Sequence, residues 1–168
     1  ASGQVAQWTR AYAPPGVDMA QFTDQRIVTW PSFDGRTISG LMNMPPPRFT
    51  GKRPVLIDIH GGPEAQAKVG FMGRYNYLIQ EMGLAVIQPN VRGSTGFDKG
   101  FTDLDNGFQR EDAVKDIGAL LDWIARQADL DASRVVVAGG SYGGYMSLAV
   151  SVHFADRIAG AIDDVGTS

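Results

Sequence analysis

The run Gly139-Gly140-Ser141-Tyr142-Gly143-Gly144 restricts the fold of this chain more than any other stretch. Before it stands Val135-Val136-Val137-Ala138, an unbroken apolar run that reads as a strand covered on both faces. After it comes Tyr145-Met146-Ser147-Leu148-Ala149-Val150, which reads as a helix packed on that strand. A strand that turns directly into a helix brings two backbones close together, and glycine at positions 139 and 143 leaves room for that approach. A serine at such a corner stands clear of its backbone. The helix start aims N–H groups and a positive dipole end at any oxygen beside it. The Gly-x-Ser-x-Gly spacing between strand and helix therefore predicts a nucleophile elbow rather than a glycine-rich turn without chemistry.

The flanking chain supports a layered α/β domain. Residues 26–30 and 37–42 alternate as strands do, and Asp34-Gly35 between them signals a hairpin turn. Pro45-Pro46-Pro47 ends strand pairing. Residues 54–60 form a buried strand that runs into His60-Gly61-Gly62-Pro63. A helix is predicted over 70–82, closed by Gly83. A strand follows over 84–89, then a glycine-rich loop over 90–100. A helix over 109–128 puts Val114, Ile117, Leu121, Ile124 and Ala128 on one stripe. The strand of the elbow spans 134–138, its helix reaches about residue 155, and a last strand covers 158–162. Residues 1–25, with Pro14-Pro15-Gly16 and weak periodicity, read as a lead-in with at most a short helical turn. Alternating strands and helices give a mostly parallel sheet with helices on both faces, preceded by an antiparallel hairpin. Ligands bind at the carboxyl ends of such strands. The His60 loop, the Arg92 loop and Ser141 all fall there.

Composition narrows the chemistry. A length of 168 residues favours one domain, and a net charge of −3 without a basic run argues against nucleic acid. No apolar stretch is long enough to span a bilayer. The chain has no cysteine, so disulfides, thiolate metal sites and a cysteine nucleophile are excluded. Its two histidines, His60 and His153, make a histidine-rich metal centre improbable, and no cofactor is expected. Gly93-Ser94-Thr95-Gly96 lacks the Lys-Ser/Thr pair of a phosphate loop. Glu111, Asp112 and Asp116 read as a solvated helix face. Arg92 either lines the site entrance or anchors its loop, and the sequence leaves both open.

With His60-Gly61-Gly62-Pro63, Arg92-Gly93-Ser94-Thr95-Gly96-Phe97 and Gly140-Ser141-Tyr142-Gly143-Gly144-Tyr145 in view, the chain resembles the catalytic domain of the prolyl oligopeptidase family of serine peptidases. Its acylaminoacyl-peptidase and dipeptidyl-peptidase-like members are the nearest. The resemblance implies an α/β-hydrolase fold beside a β-propeller, acting on short peptides. Residues 1–25 would then be a connector from the propeller, and 26–168 part of the hydrolase domain, truncated before its last strands. Ser141 would be the nucleophile. The backbone N–H of Tyr142 and that of Gly62 would form the oxyanion hole.

The order serine, acid, histidine puts the other triad members downstream of Ser141. His153 lies in the same helix, about 18 Å away at about 1.5 Å of rise per residue, and reads as a helix-face residue. His60 precedes the serine and reads as a loop-structuring residue. Asp163 and Asp164, at the end of the last strand, read as a solvated strand end, where some hydrolases keep the triad acid. The expectation is a catalytic-domain piece with a nucleophile and an oxyanion hole but no base, and with negligible activity alone. An esterase or thioesterase remains the alternative enzyme. A non-catalytic piece that needs a complementing chain remains the alternative from another class. The last strand is expected to leave an exposed edge that pairs with a complementing polypeptide or with a second copy.

Overall fold

A computed structural model describes residues 3–10, 12 and 14–167. Residues 1, 2, 11 and 13 of the predicted lead-in and residue 168 of the predicted hydrolase portion lie outside the described residues. Among the described residues six strands form one sheet: β1 (Arg26–Pro31), β2 (Thr37–Asn43), β3 (Arg53–Ile59), β4 (Ala85–Asn90), β5 (Leu130–Gly140) and β6 (Gly160–Asp164). Their order is β1-β2-β4-β3-β5-β6. β1, β2 and β4 run antiparallel to one another in turn, and β4, β3, β5 and β6 are parallel. The β1–β2 hairpin turns at Ser32–Arg36, where Ser32 N donates to Arg36 O at 2.7 Å and Gly35 takes φ +79°.

Among the described residues four α-helices accompany the sheet: α1 (Tyr75–Gln80), α2 (Lys99–Thr102), α3 (Arg110–Ala125) and α4 (Tyr142–His153). Alternate residues of the parallel strands point to opposite faces. Val55, Ile57, Ile59, Ile87, Val135 and Val137 join the larger core beneath α3 and α4. Leu56, Val86 and Ala138 face the other way and pack with Ile79 of α1. This two-sided burial is why β3, β4 and β5 are almost continuously apolar. α3 buries Ala113, Val114, Ile117, Leu120, Leu121 and Ile124, each large aliphatic side chain contributing about 1.5–3 kcal/mol.

Several boundaries differ from the sequence reading. The helix predicted over 70–82 is only α1, because Gly73 adopts φ +52° and breaks the first turns. Gly83 does close it, at φ +69°, with Leu84 N donating to Leu78 O at 3.0 Å. The predicted helix over 109–128 stops at Ala125, so Ala128 leaves the stripe and is exposed. β5 begins at Leu130, which pairs with Arg53 before a register shift. The last strand is displaced by two residues, because Ala159 N first bonds Val135 O and Gly160 then pairs with Val136. Among its described residues the lead-in contains one short helical turn, Met19–Gln21, capped by the Asp18 carboxylate.

Candidate active site

β5 passes into α4 at Ser141, whose backbone has φ 56° and ψ −119°. A non-glycine residue with positive φ is uncommon, and such strain gathers at functional sites. Ser141 is exposed, and its hydroxyl makes no hydrogen bond among the described residues. The glycines around it are there for space. A Cβ on Gly143 would overlap the Ile59 carbonyl, and one on Gly139 would overlap the Gly143 backbone. The elbow therefore presses directly onto the end of β3. There a Cβ on Gly61 would lie 3.5 Å from Ser141 Cβ, so the two loops are neighbours. Gly62 has φ +125°, and a Cβ on it would come within 2.7 Å of Glu64 N. Among the described residues the N–H groups of Gly62 and Tyr142 have no hydrogen-bond partner. Tyr142 N is the first amide of α4, one of the orphan donors of a helix start.

Beyond β6, Val165 is the other non-glycine residue with positive φ among the described residues, at 49°. Its turn is closed by Gly166 N donating to Asp163 Oδ1 at 2.7 Å. Ser141 N donates to Asp164 O at 3.0 Å, which ties the elbow to β6. Asp163 thus closes its own turn, Asp164 meets the elbow only through its backbone, and both side chains are exposed.

Neither histidine is bonded to Ser141. His60 Nδ1 lies 2.7 Å from Gly61 O, and Nε2 lies 2.9 Å from Ser94 Oγ. Burial pulls its pKa below the usual imidazole value, and both ring nitrogens stay within hydrogen-bond distance of the two loops. It ties the β3 and β4 loops together, as a loop-structuring residue should. His153 ends α4 and pairs with Glu111 at 3.2 Å on the surface.

Arg92 is an anchor. It is 2% exposed; its Nη2 and Nε donate to Asp116 Oδ1 and Oδ2 at 2.7 and 3.0 Å. Burial opposes its charge, but the hydrogen bonds to Asp116 and Asp34 outweigh it and raise its pKa. Asp116 also accepts from Arg92 N and from Ser32 Oγ. The sequence reading that placed Asp116 on a solvated face is thereby corrected. It is fully buried and fastens the β4 loop to α3 and the hairpin, whereas Glu111 and Asp112 stay at the surface. Helical spacing alone did not separate them, because the partner of Asp116 comes from a distant loop. Ser94 is turned inward, its hydroxyl donating to Val91 O at 2.7 Å, which leaves no phosphate cradle.

Sequence reasoning missed Asp105. Its Oδ1 accepts from the Tyr142 hydroxyl at 3.0 Å, and the residue is 1% exposed. Burial pushes its pKa up to about 6, against the lowering effects of the Tyr142 hydrogen bond and of Arg110. A short polar stretch in a loop carried no signal of this. A surface groove of about 390 Å³, bordered by Phe33, Lys115, Phe154 and Arg157, includes none of Ser141, Tyr142 or Gly62.

The sheet order, the helices on both faces and the strained serine between β5 and α4 define an α/β-hydrolase domain of the kind that carries a nucleophile elbow. The description of the prolyl oligopeptidase family matches residues 70–168, and the chain belongs to that family. It is 37% identical over 115 residues to dipeptidyl aminopeptidase BIII of Pseudoxanthomonas mexicana, an alignment covering 68% of this chain and 16% of the relative. It is 31% identical over 125 residues to the acylamino-acid-releasing enzyme of Rattus norvegicus, covering 74% of this chain and 16% of that one. The crystal structure of puromycin hydrolase superposes with a TM-score of 0.80 at 28% identity, over 89% of this chain and 23% of the other. The chain thus spans about a sixth of the length of the curated relatives it matches.

Proposed function

We propose that this chain carries the nucleophile and oxyanion-hole portion of a serine peptidase catalytic domain, with Ser141 forming an acyl-enzyme on short peptides. The single observation that supports this most is the Ser141 backbone at φ 56°, with its hydroxyl free at the start of α4. In this reading the Ser141 oxygen attacks a peptide carbonyl. Charge develops on the carbonyl oxygen, and the N–H groups of Tyr142 and Gly62 receive it. Losing one such donor lowers the rate about 10²–10³-fold. Deprotonation of Ser141 needs a base that neither His60 nor His153 offers, since both are engaged elsewhere. The acid and histidine of the triad come from polypeptide outside residues 1–168, and the 168-residue chain alone turns over negligibly.

The same reading gives roles to the two ends. Among the described residues β6 pairs only with β5, and Ile162, Leu148 and Val152 near it are exposed. We assign this edge to the polypeptide that completes the domain, and residues 1–25 to a connector from an upstream domain. The test has two arms. The purified chain is given a chromogenic peptide amide, and it is labelled with a fluorophosphonate alone and within a longer polypeptide that extends past residue 168. The longer polypeptide is expected to label at Ser141, to hydrolyse peptide amides as well as simple esters, and to lose both properties on Ser141→Ala. Label on another residue would end the nucleophile assignment. Ester turnover without amide turnover would move the reading to an esterase. Ordinary peptidase rates from the 168-residue chain would refute a base from outside it.

A further inference from the structure

Asp105 lies in the short turn Asp103–Asp105, far from Ser141 in sequence yet joined to the residue after it. Its Cβ sits so tightly on Gly93 that a Cβ there would come within 2.6 Å of it. Gly93 is itself held by Phe101 O at 3.1 Å and follows the anchored Arg92. Asp105 is therefore fixed from the loop side. On its other side one oxygen receives the Tyr142 hydroxyl, while Oδ2 is buried with no hydrogen bond among the described residues. The Arg110 guanidinium stands 3.8 Å from Oδ2 and 5.8 Å from the Tyr142 ring centroid. Tyr142 is buried and is the first residue of α4, so its ring and its amide move together.

We propose that Asp105 is a positioning residue for the elbow: through the Tyr142 hydroxyl its carboxylate sets the first turn of α4, and with it the Tyr142 amide beside Ser141. This rests on the reading of Ser141 and Tyr142 as nucleophile and oxyanion-hole donor. The ionised carboxylate accepts a strong hydrogen bond from the phenol. Once protonated it accepts more weakly, and the phenol tether loosens. The groups that face Asp105 are Tyr142 of α4, Arg110 and Asp116 of α3, and Arg92 of the β4 loop. With a carboxyl midpoint of about 6, the geometry of the elbow follows pH in the mildly acidic range.

The experiment uses the ¹⁵N-labelled 168-residue chain, titrated from about pH 4.5 to about pH 8, which brackets the shifted carboxyl. The amide resonances of Ser141, Tyr142, Gly143 and Gly144 are expected to move together with a midpoint of about 6. In Asp105→Asn the inflection with a midpoint of about 6 disappears from these amides. Tyr142→Phe keeps the Asp105 charge but cuts the link, so the elbow inflection shrinks at least about twofold while the Asp105 midpoint rises, its lowering hydrogen bond gone. The proposal is overturned if the elbow amides stay still while the Asp105 carboxyl titrates, or if Asp105→Asn retains the inflection. Fluorophosphonate labelling of the longer polypeptide separates the two ideas. Label at Ser141 with motionless amides removes the Asp105 link alone. Coupled amides with the label on another residue remove the nucleophile reading alone.

Discussion

Replacing Asp116 by asparagine measures what holds the β4 loop in place. The carboxylate accepts from Arg92 N, Nε and Nη2 and from Ser32 Oγ, and is fully buried. Asparagine removes the charge and one acceptor, and it points an NH₂ group at donors. Arg92, 2% exposed, is then a buried cation whose remaining carboxylate partners among the described residues are Asp34 at 3.3 Å and Asp112 at 3.9 Å. Breaking a buried ion pair costs about 3–5 kcal/mol. The remaining partially exposed carboxylates soften this, so the lower end, about 3 kcal/mol, is expected. At a urea slope of about 2 kcal/mol/M the midpoint falls by about 1.5 M. Trp30 reports the transition, since its indole N–H donates to Asp116 O at 3.2 Å inside the core. The double variant Arg92→Met/Asp116→Leu replaces both charges with apolar groups and should be less destabilised than Asp116→Asn. A single-variant shift under about 0.5 M, or a double variant worse than the single one, would refute the reasoning.

Gly143→Ala drives a methyl into the Ile59 carbonyl and should destabilise by about 1–3 kcal/mol, measured by urea unfolding; it should also abolish labelling of Ser141 in the longer polypeptide. His60 has a folded pKa below its unfolded 6.5, so the unfolded state takes up the proton first and stability falls as pH drops below about 6.5. His60→Gln should flatten that part of the urea-midpoint profile, and an unchanged slope counts against a buried neutral imidazole. Asp105 is the opposite case, with a folded pKa of about 6 above an unfolded 3.8. Its ionised form burdens the folded state above pH 6, and the burden fades as pH falls toward 3.8. Asp105→Asn should therefore unfold at higher urea than the parent at neutral pH, with the gap closing in acid. A gap that persists in acid would show that the carboxylate charge is not its source.

The layered architecture was legible because the central stretches of β3, β4 and β5 are covered on both faces and are almost all apolar. The hairpin was legible because Asp34-Gly35 separates two alternating runs. The elbow was legible because Gly139 and Gly143 have a steric purpose that any strand-to-helix corner shares. Strand ends were less so. β6 slid by two residues because its register is set by Val135 O accepting from Ala159 N, a bond between distant segments. The α1 helix shortened because Gly73 adopts a left-handed backbone that periodicity does not record.

Residue order alone determined the alternation of strands and helices, the corner that presents Ser141 and the absence of thiol chemistry, because each depends on local sterics or on composition. Only the folded chain decided that Arg92 anchors rather than lines an entrance, that Asp116 is buried rather than solvated, and that Asp105 reaches Tyr142. Those outcomes depend on which side chains from separate loops meet where water is excluded. Charge, burial and partnership are properties of that meeting, and no spacing along one helix or loop encodes them.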